Sequence, residues 1–139
     1  FSTHPRTKNR IEKNNIKFHP LIKNVAPLGF FDYVKLQQEA FVVLSDSGTI
    51  SEESAMMKVP AVSIRTSTER PEAIDAGTIV LGGISEDQIL NAIEIVKGLF
   101  DADIKQPFEY EVTNTSDRVI KAIMSYTSIV NRTIWNKPI

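Results

Sequence analysis

The chain contains no cysteine. Disulfides, thiol nucleophiles and cysteine-ligated zinc are therefore excluded, and a reducing, cytoplasmic compartment is expected. It also lacks a long apolar run. The longest, Ala40 to Leu44, is five residues, far short of the roughly 20 that cross a bilayer. The polar, basic start does not read as a signal peptide. Net charge is almost absent, at −1 from 16 basic and 17 acidic residues, so nothing draws the chain to nucleic acid or to a membrane surface. Internal repeats and hairpin signals are missing too. What remains is an ordinary globular composition, 42% hydrophobic and 24% charged over 139 residues. Disorder is excluded. One domain of this size buries roughly two thirds of its unfolded surface.

Short apolar runs alternate with helical patterns. Phe1-Ser2-Thr3 reads as the end of a strand whose earlier part is missing, so the chain is expected to be a piece of a longer protein or one whose first residues are unseen. Ile16-Lys17-Phe18 is a short strand candidate. Phe41 to Ser45 is a stronger one, continuous and apolar, and expected to be buried on both faces. Ala61 to Ile64 and Thr78 to Leu81 repeat the pattern, and Gly82-Gly83 stops the last. Helices are expected over Arg6–Asn14, Phe30–Ala40, Thr49–Met57 and Ser85–Phe100, the last opened by a Ser85/Gln88 capping box. Residues 106–114 read as irregular. A long final helix over Ser116–Trp135, capped by Ser116, carries Val119, Ile123, Tyr126, Val130 and Ile134 on one stripe. Trp135 reads as a packing anchor. The alternation predicts an α/β fold, a Rossmann-like parallel sheet with flanking helices and a long C-terminal helix.

Ligands of such sheets sit beyond the carboxyl ends of the strands. Three segments share that rim: Thr3–Arg6, Asp46–Thr49 and Arg65–Pro71. In the second, Ser47, Gly48 and Thr49 open a helix, whose free N–H groups and dipole favour an anion. Plain helix capping explains the same residues equally well. Arg70 precedes Pro71 at another helix start. A cation there is unfavourable without an anion, so a ligand is one explanation and a structural pair with Glu69 or Glu72 the other. His4 ends a strand and could meet a phosphate or move a proton; surface histidines are commoner. Neither His19 nor the two Asn-x-Ser/Thr triplets converges on anything, and no metal or cofactor set is seen.

Ser45-Asp46-Ser47-Gly48-Thr49-Ile50-Ser51-Glu52-Glu53, Thr68-Glu69-Arg70-Pro71-Glu72 and Asp75-Ala76-Gly77-Thr78 together resemble the non-hydrolysing UDP-N-acetylglucosamine 2-epimerase family. Ala26–Tyr33 and His4-Pro5 extend the resemblance over most of the chain. It implies the C-terminal half of a glycosyltransferase-B-like fold, with residues 1–115 as the UDP-binding domain. Residues 116–139 would be a helix crossing back to a missing N-terminal domain. By the same resemblance Ser47, Gly48, Thr49 and Arg70 bind the diphosphate and Glu53 the ribose hydroxyls. Tyr33 lies beside the uracil, and His4 lies near the phosphates or the chemistry.

The family inverts C2 by elimination and re-addition of UDP. Its acid–base carboxylates belong to the other half, so this chain alone is expected to be inactive and the full-length enzyme to be a homodimer. No cofactor is implied. The sequence departs from the family at Thr49, in place of a second glycine, and at Tyr33, in place of phenylalanine. Residues 27–36 and 125–132 resemble the branch forming UDP-N-acetyl-L-fucosamine for capsule and O-antigen, although Thr68 stands where that branch often has histidine. The sugar is therefore open between UDP-GlcNAc and a 6-deoxy relative. On fold alone, a glycosyltransferase-B transferase half or a flavodoxin-like signalling domain also remains possible.

Overall fold

Each apolar run that becomes a strand is followed by a helix, which supplies the crossover that parallel pairing needs. The computed structural model describes residues 1–100 and 103–137. Its helices are α1 (Pro5–Lys13), α2 (Phe30–Gln38), α3 (Ile50–Met57), α4 (Pro71–Asp75), α5 (Glu86–Leu99) and α6 (Thr115–Thr133). Strands β1 (Val43–Ser45), β2 (Ala61–Ser63) and β3 (Val80–Leu81) form a parallel sheet in the order β1-β2-β3. The register pairs Val43 with Ala61 and Val62 with Val80.

Side chains alternate across β2, and both its faces are covered. Ala61 joins Ile50, Ala73 and Ile79 on one face. Val62 joins Ala92 and Val96 of α5 on the other. Gly82 is required at the end of β3, because a Cβ there would strike the Val62 side chain. α3 ends at Lys58, which takes a left-handed φ of 53°, and Val59-Pro60 leads straight into β2. The capping box of α5 forms as expected, with both Ser85–Gln88 hydrogen bonds at 3.4 Å. A 3₁₀ turn, Phe108–Tyr110, lies in the stretch read as irregular.

Several expectations change. Residues 16–18 form no strand. Asn15 turns the chain out of α1 with φ 49°, and Phe18 packs edge-on against Phe1 at 5.7 Å instead. The parallel partner of the chain start is Val25, through a single bridge to Ser2. β1 is not buried on both faces: it is the sheet edge, and Leu44 is 42% exposed. Phe41 lies outside the strand, with the Lys97 ammonium 5.6 Å from its ring centre. The final helix is capped at Asn114 rather than Ser116 and buries none of its residues. Trp135 is no anchor, at 66% exposed.

Candidate functional site

The site grows from the turn that joins β1 to α3. The Ser47 N–H donates to Ser45 Oγ at 3.1 Å, which folds the chain over the strand end. The hydroxyls of Ser47 and Thr49 lie 3.0 Å apart. In the first turn of α3 the N–H groups of Ile50 and Ser51 already donate, at 3.4 and 3.3 Å, to the carbonyls of Ser47 and Gly48, so the helix start offers an anion the N–H groups of the turn before it together with the positive end of the dipole. The glycine between the hydroxyls matters for what lies above it. A Cβ at Gly48 would stand 3.1 Å from Arg70 Nη1 and 3.8 Å from Arg65 Nη1. Glycine thus lets the Arg70 guanidinium reach the backbone at a helix start, with the Arg65 guanidinium beside it.

Both arginines are held by carboxylates. Arg70 precedes Pro71 as the cap of α4, and its Nε donates to Glu52 Oε1 at 2.5 Å. That hydrogen bond holds the Arg70 pKa above its ordinary value. The expected partners fare differently. Glu69 is 3.9 Å from Arg70 and instead takes both prongs of Arg65, at 2.9 and 3.0 Å. Arg65 keeps the Glu69 carboxyl below its ordinary value. Glu72 accepts the Tyr110 hydroxyl at 2.9 Å. The charge conflict foreseen at Arg70 is therefore already eased by the chain's own Glu52, a partner 18 residues away in sequence.

Glu53 lies one turn into α3. Thr49 Oγ1 donates to its Oε1 at 2.8 Å and Gln37 Nε2 to its Oε2 at 2.6 Å. Tyr33, one turn before Gln37 on α2, has its phenol pKa raised by burial and by the adjacent Glu53 carboxylate. Tyr33 and Gln37 also line a cleft of about 220 Å³ against Val43 and Leu44. A cavity of about 380 Å³ on another side of Arg65 is lined by Gly82, Gln88 and Asn91, and by none of the residues named for UDP.

The structure thus brings Ser47, Gly48, Thr49 and Arg70 together, and links Glu53 to Thr49 and to Tyr33. His4 stands apart. It is exposed and caps α1, with Nδ1 accepting the Arg6 N–H at 3.3 Å. No hydrogen bond or ion pair joins it to the other site residues among those described. Three contributors were not singled out from sequence. Arg65 follows the β2 run directly on the same rim, and Gln37 follows Tyr33 at helical spacing, so both had a local signal. Glu52 had none that distinguished it from Glu53.

A family model described as UDP-N-acetylglucosamine 2-epimerase matches residues 1–124. The UDP-N-acetylglucosamine 2-epimerase of Methanocaldococcus jannaschii is 37% identical over 100 residues, 69% of this chain and 27% of that protein. A solved UDP-N-acetylglucosamine 2-epimerase from Rickettsia bellii superposes with TM-score 0.76 at 38% identity, over 99% of this chain and 38% of that one. The Methanocaldococcus jannaschii enzyme, solved in complex with UDP-GlcNAc and UDP, gives 0.74 at 33% identity, over 91% of this chain and 35% of that one. The chain therefore spans well under half the length of these relatives.

Proposed function

The chain belongs to the UDP-N-acetylglucosamine 2-epimerase family, and on that premise we propose that it is the UDP-holding half of a nucleotide-sugar 2-epimerase. One observation carries the reading: two arginines lie over a glycine at a helix start. Ser47, Gly48, Thr49 and Arg70 hold the diphosphate, with Arg65 adding positive potential. Glu53 takes the ribose hydroxyls, and Tyr33 lies beside the uracil. His4, exposed at the start of α1 and apart from these residues here, would serve near the phosphates or the chemistry only in the complete enzyme.

The reaction inverts C2 of the sugar. A base removes the C2 proton, the C–H electrons form the C1–C2 double bond, and the C1–O bond electrons leave with UDP. UDP then adds back at C1 as C2 is reprotonated on its other face. The departing diphosphate gains charge, and fixed N–H groups with a guanidinium stabilise that charge without reorganising. By the family resemblance the acid–base carboxylates lie in the other half of the enzyme, and the rim glutamates Glu52, Glu53, Glu69 and Glu72 serve here as partners of Arg70, Thr49, Arg65 and Tyr110. The substrate is UDP-GlcNAc or a 6-deoxy relative, and the product serves capsule or O-antigen synthesis in the cytoplasm. The exposed stripe of α6 packs on the N-terminal half, in a full-length enzyme that is a homodimer.

Calorimetry with UDP and then UDP-GlcNAc tests the reading, and both should bind. In deuterium oxide the chain alone should leave C2 of UDP-GlcNAc unlabelled. Deuterium above a heat-killed control would place the catalytic acids in this half and overturn the division of labour.

A further inference from the structure

Gln37 is 3% exposed, yet only half of its amide is satisfied. Nε2 donates to Glu53, while Oε1 is buried with no hydrogen-bond partner. A buried polar atom without a partner is uncommon and is unfavourable for the fold. A methionine of similar size would fill the space with no such defect. Core packing therefore does not explain an amide here, whereas the Glu53 carboxylate does. The amide can turn only one way, because its oxygen towards Glu53 would set two acceptors against each other.

Glu53 is gripped at both oxygens, by Thr49 from its own helix and by Gln37 from α2. A carboxylate offers about four acceptor positions. Thr49 and Gln37 take one on each oxygen, and the Tyr33 phenol, which also hydrogen-bonds this carboxylate, competes for the two that remain. Such a pair of acceptors on a fixed plane suits two adjacent hydroxyls.

We propose that Gln37 is a positioning residue that aims the Glu53 carboxylate and thereby sets the preference for a vicinal diol over its deoxy counterpart. The inference rests on the reading of Glu53 as the ribose ligand.

The test titrates UDP and 2′-deoxy-UDP into the chain, Gln37→Met and Glu53→Gln, with melting temperatures alongside. The unaltered chain should favour UDP by about tenfold, the worth of a charge-assisted hydrogen bond. Gln37→Met should weaken UDP about three- to tenfold and leave 2′-deoxy-UDP within about twofold. Its melting temperature should hold or rise, which a purely structural role does not allow. If Glu53→Gln abolishes the preference and Gln37→Met keeps it, the positioning role is overturned. An equal loss for both nucleotides with a lower melting temperature overturns it as well. If Glu53→Gln keeps the preference, Glu53 is not the ribose ligand and the proposed site fails first. If the unaltered chain binds neither nucleotide, the proposed function fails and takes the positioning role with it.

Discussion

The rim after β1 and β2 and the helix α6 are ordered in opposite ways. On the rim, side chains distant in sequence hold one another: Arg70 with Glu52, Gln37 with Glu53, Tyr110 with Glu72. Those contacts exist only when the sheet is assembled. In α6 the hydroxyls of Ser125, Thr127 and Thr133 bond only to carbonyls of their own helix. Its stripe of Val119, Ile123, Tyr126 and Ile134 is half or more exposed. One region is specified by tertiary contact and the other mainly by local helix chemistry, with Arg118 over the Phe108 ring of the preceding turn at 6.0 Å. An apolar stripe of that length in water is a surface that finds a partner.

The contrast is broken most strongly in the core beneath the rim. Ile50, 1% exposed in the first turn of α3, anchors the helix whose start forms the anion site. Ile50→Ala should cost about 2–5 kcal/mol of stability by denaturant titration and weaken UDP binding through the displaced helix start. Gly48→Ala should act on the rim alone. The new Cβ presses on the Arg70 fork, so UDP affinity should fall about three- to tenfold with little change in melting temperature.

A pH titration sharpens the comparison further. Burial, and then the Glu72 carboxylate, push the Tyr110 phenol above its ordinary value of 10.0. The folded chain keeps that proton where the unfolded chain has lost it. The stability from this pair is therefore fully present below pH 10.0 and declines above it. Tyr110→Phe should flatten the alkaline decline in melting temperature, and a decline of unchanged slope would assign it elsewhere. The smallest effect belongs to α6. Ile123→Ala, at a site 60% exposed, should change stability by no more than about 0.5 kcal/mol. A loss like that at Ile50 would mean the stripe is already packed.

Legibility in the sequence followed the same division. Local signals were sufficient for the parallel sheet, the α5 capping box, the α6 stripe and the Ser47–Thr49 turn, because each depends on spacing along the chain. The edge position of β1 was not legible, since an apolar run reads alike whether one face or two are covered. Ile16-Lys17-Phe18 misled because a β-branched and aromatic pair can also anchor a loop, as Phe18 does on Phe1. Of the sequence neighbours foreseen for Arg70, Glu69 makes only a long ion pair at 3.9 Å and Glu72 turns to Tyr110, while the fold supplies the nearest partner, Glu52, from another helix. Gln37 was not singled out, since its burial depends on Glu53 of α3, a contact 16 residues away in sequence.

The central claim is that Arg70 and the start of α3 act as one diphosphate site. The direct measurement is the affinity of UDP and uridine for the chain, Arg70→Ala and Arg70→Lys, with melting temperatures alongside. Arg70→Ala should weaken UDP about ten- to hundredfold, and Arg70→Lys should recover part, since an ammonium keeps the charge and loses the fork. Uridine should bind weakly and change within about twofold, having no phosphate to lose. The melting temperature should fall modestly, because Glu52 loses its partner. UDP affinity unchanged by Arg70→Ala would make Arg70 a structural partner of Glu52 and contradict the account.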